Sequence, residues 1–150
     1  MSYINFNPNP DRKLVGDCVI RAISKAMNQS WDDTYIGIML QGYAMHDMPS
    51  SNDVWGRYLF EHGFRRYIIP DTCPDCYTVR QFCIDNPQLT GILATGTHVI
   101  AVDSGSYFDT WDSGDEIPIY HVIAVGEGGN YFDTWDSGDE VPIYYWRRED

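Results

Sequence analysis

Apolar positions along this chain recur first with a helical period and later with an alternating one. Residues 1–16 are polar and rich in turn formers. Asn7-Pro8-Asn9-Pro10 neither starts a helix nor enters a central strand, so regular structure is expected to begin at Gly16-Asp17-Cys18. From there Val19, Ile20, Ala22, Ile23, Ala26 and Met27 share one helical face, which predicts a helix from about Cys18 to Asn28 with Gly16 or Asp17 at its N-cap. Ser30-Trp31-Asp32-Asp33 reads as a capping box with Asp in place of Glu and opens a second helix through about Ala44. A third helix is expected over about Asn52 to His62 and ends at Gly63, a natural C-terminal stop. Phe64 to Ile69 is strand-like up to Pro70, and Thr78 to Asp85 is a short helix closed by Asn86-Pro87.

The carboxy-terminal half reads as strands, at Gly91–Ala94, His98–Val102 and Tyr107–Trp111. Helices first and strands afterwards predict a single α+β domain over residues 1–150, with N-terminal helices packed on an antiparallel C-terminal sheet. The text of residues 98–120 then restarts at 121–144. His98-Val-Ile-Ala-Val102 and Tyr107-Phe-Asp-Thr-Trp-Asp-Ser-Gly-Asp-Glu116 return as His121–Val125 and Tyr131–Glu140. Two copies are too few for a solenoid, so a local duplication of one β-hairpin is the simpler account. Each unit is expected to close through a loop of four or five residues, about Asp103–Ser106 in the first copy. The second hairpin either extends the sheet or stands in for the first, including by exchange between two chains of a homodimer.

The hairpin register has a chemical consequence. If Val102 faces Tyr107, then His98 faces Trp111, and His98, Ile100, Val102, Tyr107, Asp109 and Trp111 share one face. Asp109 becomes the diagonal cross-strand neighbour of His98, within reach of a carboxylate–imidazole hydrogen bond. The same construction joins His121 to Asp133 in the second copy. Cys18, at the start of a helix, has the uncapped N–H groups and helix dipole that favour a thiolate and an adjacent oxyanion. A thiol, an imidazole as base and a carboxylate that orients the ring are the parts of a nucleophilic site. Asn7 and Asn9 are candidate amide donors to the oxyanion.

Gly16-Asp17-Cys18-Val19-Ile20-Arg21-Ala22, followed by Gly96-Thr97-His98-Val99-Ile100-Ala101-Val102 and Tyr107-Phe108-Asp109-Thr110-Trp111-Asp112, resembles small uncharacterised papain-like cysteine peptidase proteins of bacteria and their phages. It is more distantly similar to the bacteriocin-processing cysteine peptidases. The resemblance implies a papain-like α+β fold with Cys18 as nucleophile, His98 as base and Asp109 as orienting residue. His121 with Asp133 is the alternative pair. Arg12 stands near where related peptidases carry a Gln for the oxyanion. The activity implied is cleavage of a peptide or amide bond, or transfer to an amine, without a cofactor or metal.

Composition narrows the partners. A net charge of −12 excludes a phosphate-tracking nucleic-acid binder and argues against an anionic membrane surface. It leaves a peptide or protein substrate, or alternatively a non-catalytic acidic interaction protein of phage type that binds a basic nucleic-acid-binding partner. Four cysteines are too few for a disulfide scaffold, and Met1–Asn5 has no basic segment leading into an apolar one. A bacterial cytoplasm, or that of a phage-infected cell, with reduced thiols is therefore expected. Cys73-Pro74-Asp75-Cys76, with Cys83 beyond, lacks the second ligand pair of a structural zinc site and fits a redox motif only in part; spare thiols in a loop are the expectation. Asp109, Asp112, Asp115 and Glu116 do not follow the calcium-loop spacing and read as a solvated acidic turn.

Overall fold

The computed structural model describes residues 2–69, 77–115, 124–125, 131–132 and 144–149. Four helices are seen among them: α1 (Cys18–Met27), α2 (Trp31–Met45), α3 (Asn52–Glu61) and α4 (Val79–Asp85). The strands are β1 (Tyr3–Asn5), β2 (Phe64–Ile68), β3 (Thr90–Ala94), β4 (Val99–Asp103), β5 (Ser106–Asp109), β6 (Ala124–Val125), β7 (Tyr131–Phe132) and β8 (Tyr144–Arg148). None of the helices is long and apolar enough to cross a membrane.

Helix boundaries follow local chemistry. The Ser30 hydroxyl accepts the Asp33 N–H at 3.0 Å, so α2 opens as its sequence requires. Thr78 caps α4 in the same way through Gln81 N–H at 3.1 Å. Asn28 ends α1 in the left-handed conformation, a C-terminal position Asn tolerates. Asp17 occupies the N-cap of α1 but makes no capping bond, because its carboxylate is engaged elsewhere.

Six strands form one sheet in the order β1-β5-β4-β3-β8-β2. Neighbours are antiparallel except β1 and β5, which run parallel with Tyr3 opposite Tyr107 and Asn5 opposite Asp109. The sheet is therefore mixed, not antiparallel, and regular structure begins well before Gly16. Three residues are too few to show an alternation, and it is the open edge of β5 that makes Tyr3–Asn5 a strand. β4 and β5 join through a turn tighter than expected: Asp103 pairs with Ser106, leaving only Ser104 and Gly105. Both have positive φ, 51° and 74°, as a two-residue hairpin turn matched to strand twist demands. β6 and β7 pair with each other in a separate two-stranded sheet, with Val125 opposite Tyr131. These four residues add no strand to the main sheet.

Alternation along the central strands divides the core. Ile92, Ala94 and Ala101 meet Ala22 and Ile23 of α1 and Val54, Trp55 and Leu59 of α3. Leu93, Ile100, Val102 and Tyr107 meet Val79 and Phe82 of α4 on the other face. At Gly91 β3 passes close to β8, where an added Cβ would lie 2.2 Å from the Trp146 carbonyl oxygen. α2 buries only Thr34, Ile38 and Gly42 and leaves Tyr35, Ile36, Met39, Leu40 and Tyr43 exposed.

Candidate functional site

Cys18 is the first residue of α1 and is half-buried. The His98 side chain and the backbone N–H of Val99 lie next to its sulfur and act on the thiol. His98 sits just before β4, held by a turn in which Thr95 N–H donates to the His98 carbonyl at 2.8 Å. Its Nε2 lies 2.6 Å from Asp109 Oδ2, which leaves Nδ1 for the sulfur. Trp111 lies beside the ring, with centroids 5.4 Å apart. Strict alternation would send His98 and Asp109 to the α4 face with Ile100 and Tyr107. They meet residues of α1 instead, His98 just before β4 and Asp109 at the end of β5.

Both Asp109 oxygens are engaged. Oδ2 faces the imidazole, while Oδ1 accepts the Thr110 N–H at 2.8 Å and Arg21 Nη2 at 3.3 Å. Arg21 in turn bonds the Asp17 carboxylate, whose other oxygen accepts the Trp31 indole N–H at 2.8 Å. Side chains of Asp17, Arg21 and Asp109 are exposed by only 6%, 7% and 1%. A buried cation is thus held between two buried carboxylates, the arrangement in which removal of one partner is most costly.

Electrostatics follow from this geometry. Burial opposes the Cys18 thiolate, but the hydrogen bond and charge of His98, the Val99 N–H and the Arg21 cation outweigh it and hold the thiol below its ordinary value. Burial also opposes charge on His98, yet its bonds to Asp109 and Cys18 prevail and raise it to about 9. Burial would raise Asp109, but His98 keeps it below the usual carboxylate range. The two shifts at Cys18 and His98 favour a thiolate–imidazolium pair. Cys83 is the internal contrast: on the buried face of α4 without such partners, its thiol is pushed up to about 11 by burial.

A cleft of about 210 Å³ opens over the sulfur, lined by Cys18, His98, Asn52, Trp55, Thr95 and Gly96 among others. Neither Asn7 nor Asn9 lines it. Asn7 donates to the Lys13 carbonyl at 3.2 Å and accepts the Asn9 N–H. Asn9, 8% exposed, accepts the N–H groups of Asp11 and Lys13. Both amides build the N-terminal loop. Asn52 is the side-chain amide at the cleft; its oxygen accepts the Trp55 indole N–H at 3.1 Å, which turns the NH2 group away from that bond.

Cys18, His98 and Asp109 are thus brought together. His121, Asp133, Cys73, Cys76 and Glu116 lie outside the described residues. Among the described residues no cluster of three or more His, Cys, Asp or Glu side chains could hold a metal ion. Arg21, Asn52 and the Val99 N–H were not singled out by sequence reasoning. Arg21 did carry a signal: it is a cation next to the apolar face of α1, one turn from Asp17. No known family model, curated protein or solved structure matches the chain.

Proposed function

We propose that this protein is a papain-like thiol hydrolase of peptide or amide bonds, with Cys18 as nucleophile, His98 as acid–base and Asp109 as the residue that orients the ring. The supporting observation is the His98 ring beside Cys18 in one cleft, bonded at 2.6 Å to a carboxylate whose both oxygens are held. The thiolate attacks the carbonyl carbon and an oxyanion forms. First-turn N–H groups of α1, which lack partners within the helix, and the Asn52 amide are the donors available to it. As the C–N bond breaks, His98 gives its proton to the leaving amine. Water then attacks the thioester, with its proton taken by His98, and releases the acid and the free thiol. An amine in place of water would make the reaction a transfer.

Iodoacetamide tests the assignment. Cys18 should alkylate at pH 7 at least about tenfold faster than Cys83, because only the thiolate reacts and the two thiols are shifted in opposite directions. Equal rates in the folded protein would overturn it. A second reading, a non-catalytic acidic protein that binds a basic partner, is favoured by the net charge of −12. It predicts salt-sensitive binding that survives Cys18→Ala, whereas the enzymatic reading predicts loss of biological activity in that variant.

A further inference from the structure

A second, larger depression adjoins the reactive cleft. Its volume is about 630 Å³, and it shares Gly16, Val19 and Ser50 with the cleft over Cys18, so the two adjoin across these residues. The walls are largely apolar. Val15 and Tyr35 stand 49% and 42% exposed into solvent there, with Val19, Ile20 and Trp31 half-buried beside them.

The wall is also fixed in place. Trp31 stacks on Tyr35 with ring centroids 4.8 Å apart and planes 17° apart. Its indole N–H is pinned to Asp17, which Arg21 holds in turn. The opposite wall is the loop that Asn9 braces through Asp11 and Lys13. A preformed concavity with aromatic walls, next to a nucleophile, is the form a side-chain recognition site takes.

We propose that this groove binds the part of the peptide substrate flanking the scissile bond, and that it selects a large apolar, preferably aromatic, side chain there. The inference rests on the assignment of Cys18 as the attacking thiol. The shared residues decide between occupants: a chain whose carbonyl reaches Cys18 passes next to Gly16, Val19 and Ser50, and beyond them lies this apolar surface. Burying one aromatic side chain against such a wall is worth about tenfold or more in rate for a reagent that must bind before it reacts.

The test uses the full-length protein and blocked dipeptidyl chloromethyl ketones, in which the Cys18 thiolate displaces chloride. Phe, Leu, Ala and Asp are placed in turn at each of the two residues before the reactive carbon. Each rate of Cys18 labelling, read by intact mass, is divided by the iodoacetamide rate of the same protein. The Phe reagent at one position should exceed the Ala reagent by about tenfold or more, with Asp slowest. Tyr35→Ala and Val15→Asp, both at exposed positions, should cut the Phe-over-Ala ratio to within about threefold. A flat panel with selective iodoacetamide labelling of Cys18 would overturn the groove and leave the nucleophile standing. A Cys18 no more reactive than Cys83 would overturn both. A dimer in sedimentation that Tyr35→Ala dissociates would assign the groove to a second copy of the chain and overturn the proposal.

Discussion

Arg21→Met keeps the length of the side chain and removes its charge. It leaves Asp17 and Asp109, 6% and 1% exposed, as two buried carboxylates without the cation between them. Removing one partner of a buried ion pair costs about 3–5 kcal/mol, a large share of the roughly 5–15 kcal/mol by which a domain is stable. With a urea slope near 2 kcal/mol per molar, the unfolding midpoint should fall by about 1.5–2.5 M. Arg21→Lys keeps the charge but loses the fork that reaches both carboxylates, and should fall in between. Asp17→Asn added to Arg21→Met should recover part of the loss by removing one unpaired charge. The second readout is chemical. The Arg21 cation helps to hold the Cys18 thiol down, so Arg21→Met should move the pH profile of Cys18 alkylation to higher pH. A midpoint shift under about 0.5 M, the scale of an exposed pair, with an unmoved alkylation profile, would refute the reasoning.

Four further outcomes are expected. Asp109→Asn removes the carboxylate that raises His98, so the ring titration followed by NMR should drop from about 9 toward its ordinary range, and Cys18 labelling at neutral pH should slow. His98 is raised from 6.5 to about 9, so its contribution to stability is complete below 6.5 and is lost as pH rises through about 9; urea midpoints should fall over that window, and less so in His98→Gln. Gly91→Ala places a methyl 2.2 Å from the Trp146 carbonyl oxygen, which β3 and β8 can relieve only by moving apart; calorimetry should show a loss of about 2 kcal/mol or more. Gly96→Ala, with no atom within 4 Å of the added carbon, should cost under about 0.5 kcal/mol in the same assay.

The helices were legible because their signals are local. Ser30 caps α2 through the N–H it was expected to reach, and α3 runs Asn52–Glu61 as its pattern implies. Pairing Val102 with Tyr107 was also legible, and with it the His98–Asp109 hydrogen bond, because the register of one pair sets which residues of the two strands are neighbours, even where the face they turn to differs. The turn was misjudged by its length: Asp103 and Ser106 look like loop residues, but their backbones still pair. β1 was invisible because its partner is a hundred residues away and its own three residues carry no period. Asp17 illustrates the same limit at the site. Its position predicts a cap, yet burial of Arg21 turns its carboxylate inward, and only the tertiary fold brings that cation to Asp109. Asn9 looked like a free amide for the same reason, since its two acceptor contacts exist only once the loop has closed.

The outer strand of the sheet carries charge of the minority sign. Arg65 and Arg66 on β2, and Arg147 and Arg148 on β8, are all exposed, and together they are four of the chain's ten basic side chains in a molecule of net charge −12. Among the described residues β2 pairs with β8 alone and forms the edge of the sheet, where an open backbone would accept another strand. Two copies meeting there would bring arginine against arginine, and this repulsion guards the margin against open-ended stacking. The guard is electrostatic and weakens with salt, as the screening length shrinks from about 8 Å at physiological ionic strength to about 3 Å at 1 M.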